Sequence, residues 1–579
     1  MSRDKVQLAA CAIILLVLPC RPIDGANILG LFSTFSPSHL VVHMAMMRAL
    51  ADRGHNVTIV SAIKPRLVPH ENITLILAPM SEATLAEVNQ FMESSTKEKP
   101  SMNGIFYRML IKAAVMLDCQ YEFLLHPNVR AIYERPQTKF DLLFLGFMFN
   151  DYQLGVAAKL GIPAVISWVG VPFTFIDDEV GNIYDPAYVP NLKVGVASSQ
   201  RAMDFGQRLK NYCTWVFLKT IAFILDRRME NYYNGAFGAD LQMPSYWDAR
   251  RNISLLFYNY HSHSEGPVRP TVPQSIEVGG VQIKEQPDPL PSELAEFLDN
   301  AKAGAIFFSL GTNVKSGYFT PNVMEAFFKV LSSQPLRVIW KWDDLQHTPG
   351  NASNIYYHNW LPQDDILAHP NTKLFITHAG KGGIAEAQYH GVPMVAMPIF
   401  GDQHGNADNM VYAGFGLSVD WTTLTEASLA QTLNEVLQNA SYRERVRSFS
   451  ALYRDRPLTA RQSVVYWTEY VLRHKGAYHL QNPALHLAFV ARHNLDVYAC
   501  LLILLAVSLT LLKLLLRCIW QQLRTLAPSK DKCKFFPINC VTRICSSDSR
   551  TALSVAVAIE TSKTNANLRD FHSERTAKQ

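Results

Sequence analysis

From Asn27 onward the chain alternates short apolar runs with longer amphipathic ones, separated by glycine or proline. Asn27–Phe32 predicts a strand, His39–Arg53 a helix closed by Gly54, and Asn56–Val60 a second strand. Ser36 followed by Pro37 supplies an N-cap and a preset first helical residue. This is a βαβ unit, which implies a parallel sheet with its ligand crevice at the carboxyl ends of the strands. The pattern recurs at Asp141–Gly146, a helix ending near Gly161, and Pro163–Ser167. Between Ser262 and Pro291 the prolines 267, 270, 273, 287, 289 and 291 resist both helix and sheet and predict a linker over 266–292. Beyond it the alternation restarts, with strands expected at Ala305–Phe308, Arg337–Trp342, Leu374–Thr377 and Met394–Met397. The pattern therefore predicts an α/β chain of two doubly wound lobes, 27–265 and 293–480, facing a cleft. The helical stretch Leu424–Arg473 is expected to close the second lobe, and 481–496 reads as an amphipathic segment before the last apolar run.

Both ends carry membrane signals. A charged start followed by apolar residues from Val6 to Leu18 reads as a secretory signal peptide over 1–26, too short to span a bilayer. The run 497–516 is long enough to cross one, and Arg517, Arg524, Lys530, Lys532 and Lys534 follow it against one Asp531. The positive-inside rule then places the tail, 517–579, in the cytosol and the body in the lumen or outside the cell. Sequons at Asn56, Asn72, Asn252, Asn351 and Asn439 all precede the span.

Charge changes the picture only through its location. The chain has 579 residues, 54 Lys plus Arg and 49 Asp plus Glu, a net of +5. The tail from Arg517 holds 11 basic and 5 acidic residues, so the first 516 residues carry a net of −1. A neutral body gives no reason to expect nucleic acid, and an apolar content of 48% excludes a disordered chain. Of nine cysteines only Cys119 and Cys213 lie in the body, as one bridge or as two buried thiols. Cys518, Cys533, Cys540 and Cys545 are candidates for palmitoylation in a tail otherwise read as disordered.

Candidate chemistry concentrates between Trp360 and Gln403. A strand ending at Thr377 leads into a loop with Gly380, Gly382 and Gly383 and then a helix, an arrangement whose N–H groups and dipole suit phosphate. His378 adds a donor there, and Glu386, one turn into the helix, offers a carboxylate for two ribose hydroxyls. Trp360 presents a flat face for a base, Gln363 an amide for its edge, and Asp402 with Gln403 the groups that sugar hydroxyls need. A nucleotide sugar would satisfy all of them. Isolated, His378 and Glu386 would be better read as packing or capping residues; the shared spacing argues for a site.

This segment resembles the signature of the UDP-glycosyltransferases, inverting enzymes of GT-B fold, from Trp360–Gln363 through Thr377-His378, Gly380 and Glu386 to Asp402-Gln403. Phe308-Ser-Leu-Gly-Thr312 and Glu277-Val-Gly-Gly-Val281 are similar to that family too, and the overall wording is most similar to its insect members. The resemblance implies two Rossmann-like lobes plus one C-terminal transmembrane helix, with the first lobe binding the acceptor and the second the UDP-sugar. It implies that Trp360 stacks on uracil beside Gln363, that Thr312, His378, Gly380 and Gly383 hold the diphosphate, that Glu386 holds the ribose, and that Asp402 and Gln403 hold the sugar. It also implies His39 as general base, oriented by Asp151. His39 sits where a helix N-terminus disfavours imidazolium and keeps the ring able to take a proton.

The resemblance further implies no cofactor beyond the UDP-sugar co-substrate, a small lipophilic acceptor, residence in the endoplasmic reticulum membrane, and room for a homo-oligomer. Glucose is the expected sugar and glucuronate the alternative. His39 and His43 stand at i, i+4, but residue 40 is Leu where a zinc protease needs Glu, so no metal is expected. Four positions depart from the family: Gly383 and Ala385 replace side-chain donors, Lys381 replaces an apolar residue, and Gly146 stands where the orienting acid usually follows its strand. These departures motivate a rival reading, a non-catalytic relative binding a lipophile or a partner subunit. A processive synthase is disfavoured by the single span. Asp177, Asp178 and Glu179 read as a solvated loop, and Phe173, Phe175, Tyr212, Trp215 and Phe217 read either as an acceptor pocket or as ordinary packing.

Overall fold

The computed structural model describes residues 25–526 apart from 67, 98–101, 171–173, 192–201, 263–268, 313–318, 320 and 400. The signal-peptide expectation, Phe173, and the tail beyond 526 with Cys533, Cys540 and Cys545 lie outside the described residues. The described chain forms two compact units, one ending at Leu487 and one beginning at Ala488.

The first unit holds two parallel sheets. One contains β1 (Asn27–Phe32), β2 (Asn56–Ser61), β3 (Ile73–Leu77), β4 (Leu142–Gly146), β5 (Ala164–Trp168), β6 (Ile253–Tyr258) and β7 (Ser275–Glu277), in the order β3-β2-β1-β4-β5-β6-β7. The other contains β8 (Ala305–Ser309), β9 (Arg337–Lys341), β10 (Ile355–His358), β11 (Thr372–Thr377), β12 (Met394–Ala396) and β13 (Gly416–Ser418), in the order β10-β9-β8-β11-β12-β13. Each is a doubly wound Rossmann-like sheet, and in each the strand order reverses at one point, between β1 and β4 and between β8 and β11.

The strands are apolar along their whole length because both faces are covered. On β4, Leu143 and Leu145 join one core while Leu142 and Phe144 join the core on the opposite face. On β8, Ile306 and Phe308 face one way and Ala305 and Phe307 the other. This is the period-2 alternation of a buried parallel sheet.

Four expectations differ from the structure. The proline-rich linker contains β7, a three-residue edge strand paired with β6, where proline is tolerated because one side of the strand needs no partner. The helices Glu426–Gln438 and Ala440–Arg454 pack on the second lobe, but the helix Ala460–His474 returns to the first. Its Val464 and Val471 share a core with Val42, Met46 and Leu50, and Arg53 of the first lobe pairs with its Glu469 at 3.0 Å. Asp177 and Glu179 lie on the helix Thr174–Val180 and are buried, Asp177 accepting from the Tyr258 hydroxyl at 2.7 Å, so this stretch is no solvated loop. Cys119 is buried and Cys213 exposed, both as free thiols, so the body has neither the bridge nor a second buried thiol.

The second unit contains the helix Leu495–Leu526, whose apolar window has mean hydropathy 2.6; it is long and apolar enough to cross a membrane.

Candidate active site

Both halves of the predicted site lie at the strand-order reversals. In the first lobe, β1 runs through Ser33–Ser36 into the helix Pro37–Asp52, which places His39 in the first helical turn. Ser36 sits at the N-cap, but its hydroxyl meets that of Ser38 at 2.9 Å and makes no capping bond to the helix backbone. His39 is partly buried, and its Nδ1 is fully buried with no hydrogen-bond partner. Burial lowers its pKa to about 4, so the ring is neutral at physiological pH and can accept a proton.

One turn on, His43 is buried and stacked on Phe32, ring centroids 4.9 Å apart, with its Nδ1 2.9 Å from Ser167 Oγ. The loop after β4 is held by a buried amide network that the sequence reading missed. Asn150 Nδ2 donates to Ser33 Oγ at 3.1 Å, to the Gly146 carbonyl at 3.1 Å and to Gln153 Oε1 at 2.9 Å, and the Ser33 hydroxyl donates to Gln120 Oε1 at 3.0 Å. Ser33 lies 117 residues from Asn150 and 87 from Gln120, so these two pairs leave no local pattern to read.

Asp151 is not placed against His39. Its carboxylate is buried beneath Arg250, 3.0 Å from the guanidinium, and accepts from the Tyr246 hydroxyl at 2.7 Å. The same Arg250 meets Asp226 at 2.9 Å and Glu179 at 2.5 Å. One cation thus serves three carboxylates, and burial pushes Glu179 up to about 8 despite it. The expected His39–Asp151 dyad gives way to a structural ion cluster.

In the second lobe, β8 leads through Leu310 into Gly311-Thr312, and β11 leads directly into His378. The His378 ring is gripped between two glycines: a Cβ on Gly380 would lie 2.3 Å from its Nε2 and one on Gly311 2.6 Å from its Cε1. Gly311 also has φ +80°, a conformation that L side chains rarely adopt. Among the described residues, His378 Nδ1 and Thr312 Oγ1 are buried without hydrogen-bond partners. Burial, and then the Lys341 cation, lower His378 to about 4, leaving a neutral ring with one N–H to give.

The helix Lys381–His390 starts at Gly380, which carries no side chain to cap it, so its first N–H groups are open to an anion. Gln363, at the start of the helix Gln363–Ala368, donates its amide to Glu386 Oε2 at 2.6 Å. Burial, reinforced by Asp364, pushes Glu386 up to about 8. A Cβ on Gly383 would come within 3.2 Å of that same Gln363 amide and 3.3 Å of Phe375, a tight fit. The helix Gln363–Ala368 is itself pinned by pairs that the sequence did not suggest, Lys284–Asp365 at 2.6 Å and His390–Asp364 at 2.7 Å.

Asp402 accepts from Asn406 at 2.8 Å, and Gln403 Oε1 accepts the Ile399 N–H at 2.8 Å. Lys381 is electrostatically coupled to Asp402; burial lowers the lysine to about 7, with Asp402 opposing. Asn406 also donates to the Ala379 carbonyl at 3.1 Å, tying this corner to the glycine loop. Across the cleft, the Arg66 guanidinium, from the loop after β2, lies 3.7 Å from the centroid of the Trp360 ring, a cation–π contact that joins the lobes. The structure thus joins Gln363 to Glu386 and sets His378 between Gly311 and Gly380 in the second lobe, and places His39 after β1 with Asp151 bound to Arg250 instead.

Residues 30–532 match the sequence profile of the family described as "UDP-glucoronosyl and UDP-glucosyl transferase". The chain is 33% identical over 491 residues to "UDP-glucosyltransferase 2" of Dactylopius coccus, covering 83% of this chain and 90% of that protein. It is 32% identical to "UDP-glycosyltransferase UGT5" of the same insect, covering 83% and 89%. It is 30% identical to human "UDP-glucuronosyltransferase 2B15", covering 80% and 88%. Among solved structures, the glycotransferase of kitacinnamycin (TM-score 0.50, 18% identity) and the calicheamicin glycosyltransferase CalG4 (0.50, 16%) share the two-lobed GT-B fold; each covers 78% of this chain and 99% of its own. The chain belongs to the UDP-glucuronosyl and UDP-glucosyl transferase family, as a UDP-sugar glycosyltransferase of GT-B fold.

Proposed function

We propose that this glycosyltransferase moves glucose from UDP-glucose to a hydroxyl of small lipophilic acceptors, with His39 as general base and inversion at the anomeric carbon. The observation that carries this reading is the neutral, partly exposed His39 at the reversal of the first sheet, together with the second lobe's His378 Nδ1 and Thr312 Oγ1, buried with no partner among the described residues. The acceptor hydroxyl gives its proton to His39 as its oxygen attacks the anomeric carbon. The bond from that carbon to UDP breaks, and the leaving diphosphate is received by His378, Thr312 and the open N–H groups at Gly380 and Gly383. Donors aimed at developing negative charge lower the barrier without reorganising during reaction. Trp360 and Gln363 take the uracil, Glu386 the ribose, and Asp402 with Gln403 the sugar hydroxyls.

Glucose rather than glucuronate is supported by the name of the Dactylopius coccus relative, a glucosyltransferase. The helix Leu495–Leu526 and the basic residues after it support a single-pass anchor, with the body in the lumen of the endoplasmic reticulum, where acceptors partition from the bilayer. The test is a donor panel: microsomes carrying the protein are given radiolabelled UDP-glucose or UDP-glucuronate with a set of phenols. Glucosides are expected; glucuronides without glucosides overturn the sugar assignment, and no product from either donor overturns the acceptor class.

A further inference from the structure

The stretch Glu277–Val281 has no part in the site described so far. It leaves β7 and runs against the chain that follows β6. The Val278 N–H donates to the Tyr258 carbonyl at 2.7 Å, the Gly279 N–H to that of Tyr260 at 3.0 Å, and the Gly280 N–H to Asn259 Oδ1 at 2.9 Å. A Cβ on Gly279 would lie 2.6 Å from the Tyr260 carbonyl, so glycine is what lets the two segments lie this close. Just beyond, Arg461 of the helix Ala460–His474 donates to the carbonyls of Val281 at 3.1 Å and Gln282 at 3.5 Å. The backbone that carries Gln282 is therefore fastened to elements of the first lobe.

Gln282 is only 8% exposed. Its Oε1 accepts weakly from Asn259 Nδ2, at 3.5 Å, and its Nε2 is buried with no hydrogen-bond partner among the described residues. A buried donor in that state is costly unless a ligand or water completes it. The same nitrogen borders the start of the helix Lys381–His390. A Cβ on Gly382 would meet it at 3.9 Å and would meet nothing nearer outside its own helix, so the space before this turn is open and Gln282 is its first neighbour. Glu386 follows four residues on, along the same helix face. Burial raises the Glu386 carboxyl while Gln282 and Gln363 both act to lower it, and of the two Gln363 holds it by a hydrogen bond, at 2.6 Å. An amide with N–H groups to give, the unfilled N–H groups of a helix start and a carboxylate thus border one opening.

A ribose hydroxyl has one proton to give and lone pairs to be met. Glu386 can take the proton, and a carboxylate has nothing to offer the lone pairs. We propose that Gln282 is a further donor-binding residue, its Nε2 donating to the oxygen of a ribose hydroxyl of the UDP-sugar whose proton goes to Glu386. The hydroxyl is then read from both sides, and a nucleotide lacking it leaves two buried polar groups unmet, which is the strongest form of discrimination a binding site has. Because the segment carrying Gln282 is bonded to the first lobe, this contact also ties the nucleotide to both lobes. The inference rests on Glu386 holding the ribose.

The experiment measures the affinity of the full-length protein for UDP, 2′-deoxy-UDP and 3′-deoxy-UDP by titration calorimetry, in the native chain and in Gln282→Leu, Gln282→Met and Glu386→Gln. Gln282→Met keeps the length of the side chain without its donor and carries the comparison if Gln282→Leu does not fold. Either Gln282 variant is expected to weaken UDP at least about fivefold, and to change by less than about twofold the binding of the one deoxynucleotide that lacks the contacted hydroxyl. The inference is overturned if UDP binds a folded Gln282 variant within about twofold of the native protein while Glu386→Gln weakens it. It is overturned equally if all three nucleotides lose affinity in parallel, since a disturbed fold would do that. If Glu386→Gln leaves UDP affinity unchanged, the ribose assignment itself falls, and this inference with it.

Discussion

The amide of Gln363 donates to the carboxylate of Glu386 at 2.6 Å, joining the first turns of the helices Gln363–Ala368 and Lys381–His390. If Glu386 holds the ribose as proposed, this protein partner fixes its carboxylate in place and reduces the ordering cost of binding.

One consequence is a linked proton. Burial raises Glu386 to about 8, so at pH 7 much of it is protonated in the free protein. Ribose hydroxyls donate to the ionised form and favour it. UDP binding should therefore release protons between about pH 6.5 and 8, and its affinity should rise with pH across that window. Titration calorimetry in two buffers of different ionisation enthalpy reads this directly, and Glu386→Gln should abolish the release. Proton uptake would contradict the assignment.

Trp360 gives a second test of the same crevice. Stacking of a base on an aromatic ring contributes about 1–3 kcal/mol, so Trp360→Ala should weaken UDP binding roughly tenfold or more, while Trp360→Phe keeps most of the affinity. Equal affinities in all three proteins would remove Trp360 from the site.

The cluster around Arg250 predicts a stability effect without a mechanistic one. Removing the cation leaves Asp151, Glu179 and Asp226 buried or nearly so and uncompensated. Arg250→Ala should cost about 3–5 kcal/mol and show as a large drop in Tm. Asp151→Asn should also lower Tm, yet leave the shape of the kcat–pH profile unchanged. A displaced profile with an unchanged Tm would restore Asp151 to the catalytic apparatus.

Acid sensitivity follows from three histidines. His39 and His378 are lowered to about 4 and His43 to about 3, against about 6.5 in an unfolded chain, chiefly by burial. Below pH 6.5 the unfolded state binds protons that the folded state does not, so stability is full above that pH and lost as pH falls toward 4. Each group contributes up to about 1.4 kcal/mol per pH unit. Tm in detergent should fall steeply between pH 6.5 and 5, and less steeply in His43→Leu.

Much of this was legible in the chain itself. The strand Asn27–Phe32 and the helix that follows stand where the hydrophobic pattern put them, because a parallel strand covered on both faces is apolar throughout and a glycine closes the helix. The candidate donor residues from Trp360 to Gln403 were legible because they fall in one continuous stretch, with Thr312 apart from it. Asp151 was not, since its partner Arg250 is about a hundred residues away and only the folded chain brings them together. The pairing of His43 with Ser167, 124 residues apart, was hidden for the same reason. β3 escaped notice because its outer face is exposed and its alternation weak. β7 escaped because prolines surround it.

The central claim is that a neutral His39 deprotonates the acceptor while the second lobe holds UDP-sugar. The most direct measurement is the turnover of His39→Ala with UDP-glucose and a phenol, made beside its affinity for UDP. The account predicts kcat reduced at least about 100-fold with UDP affinity within about twofold of the native protein; near-native turnover, or loss of UDP binding in step with turnover, would contradict it.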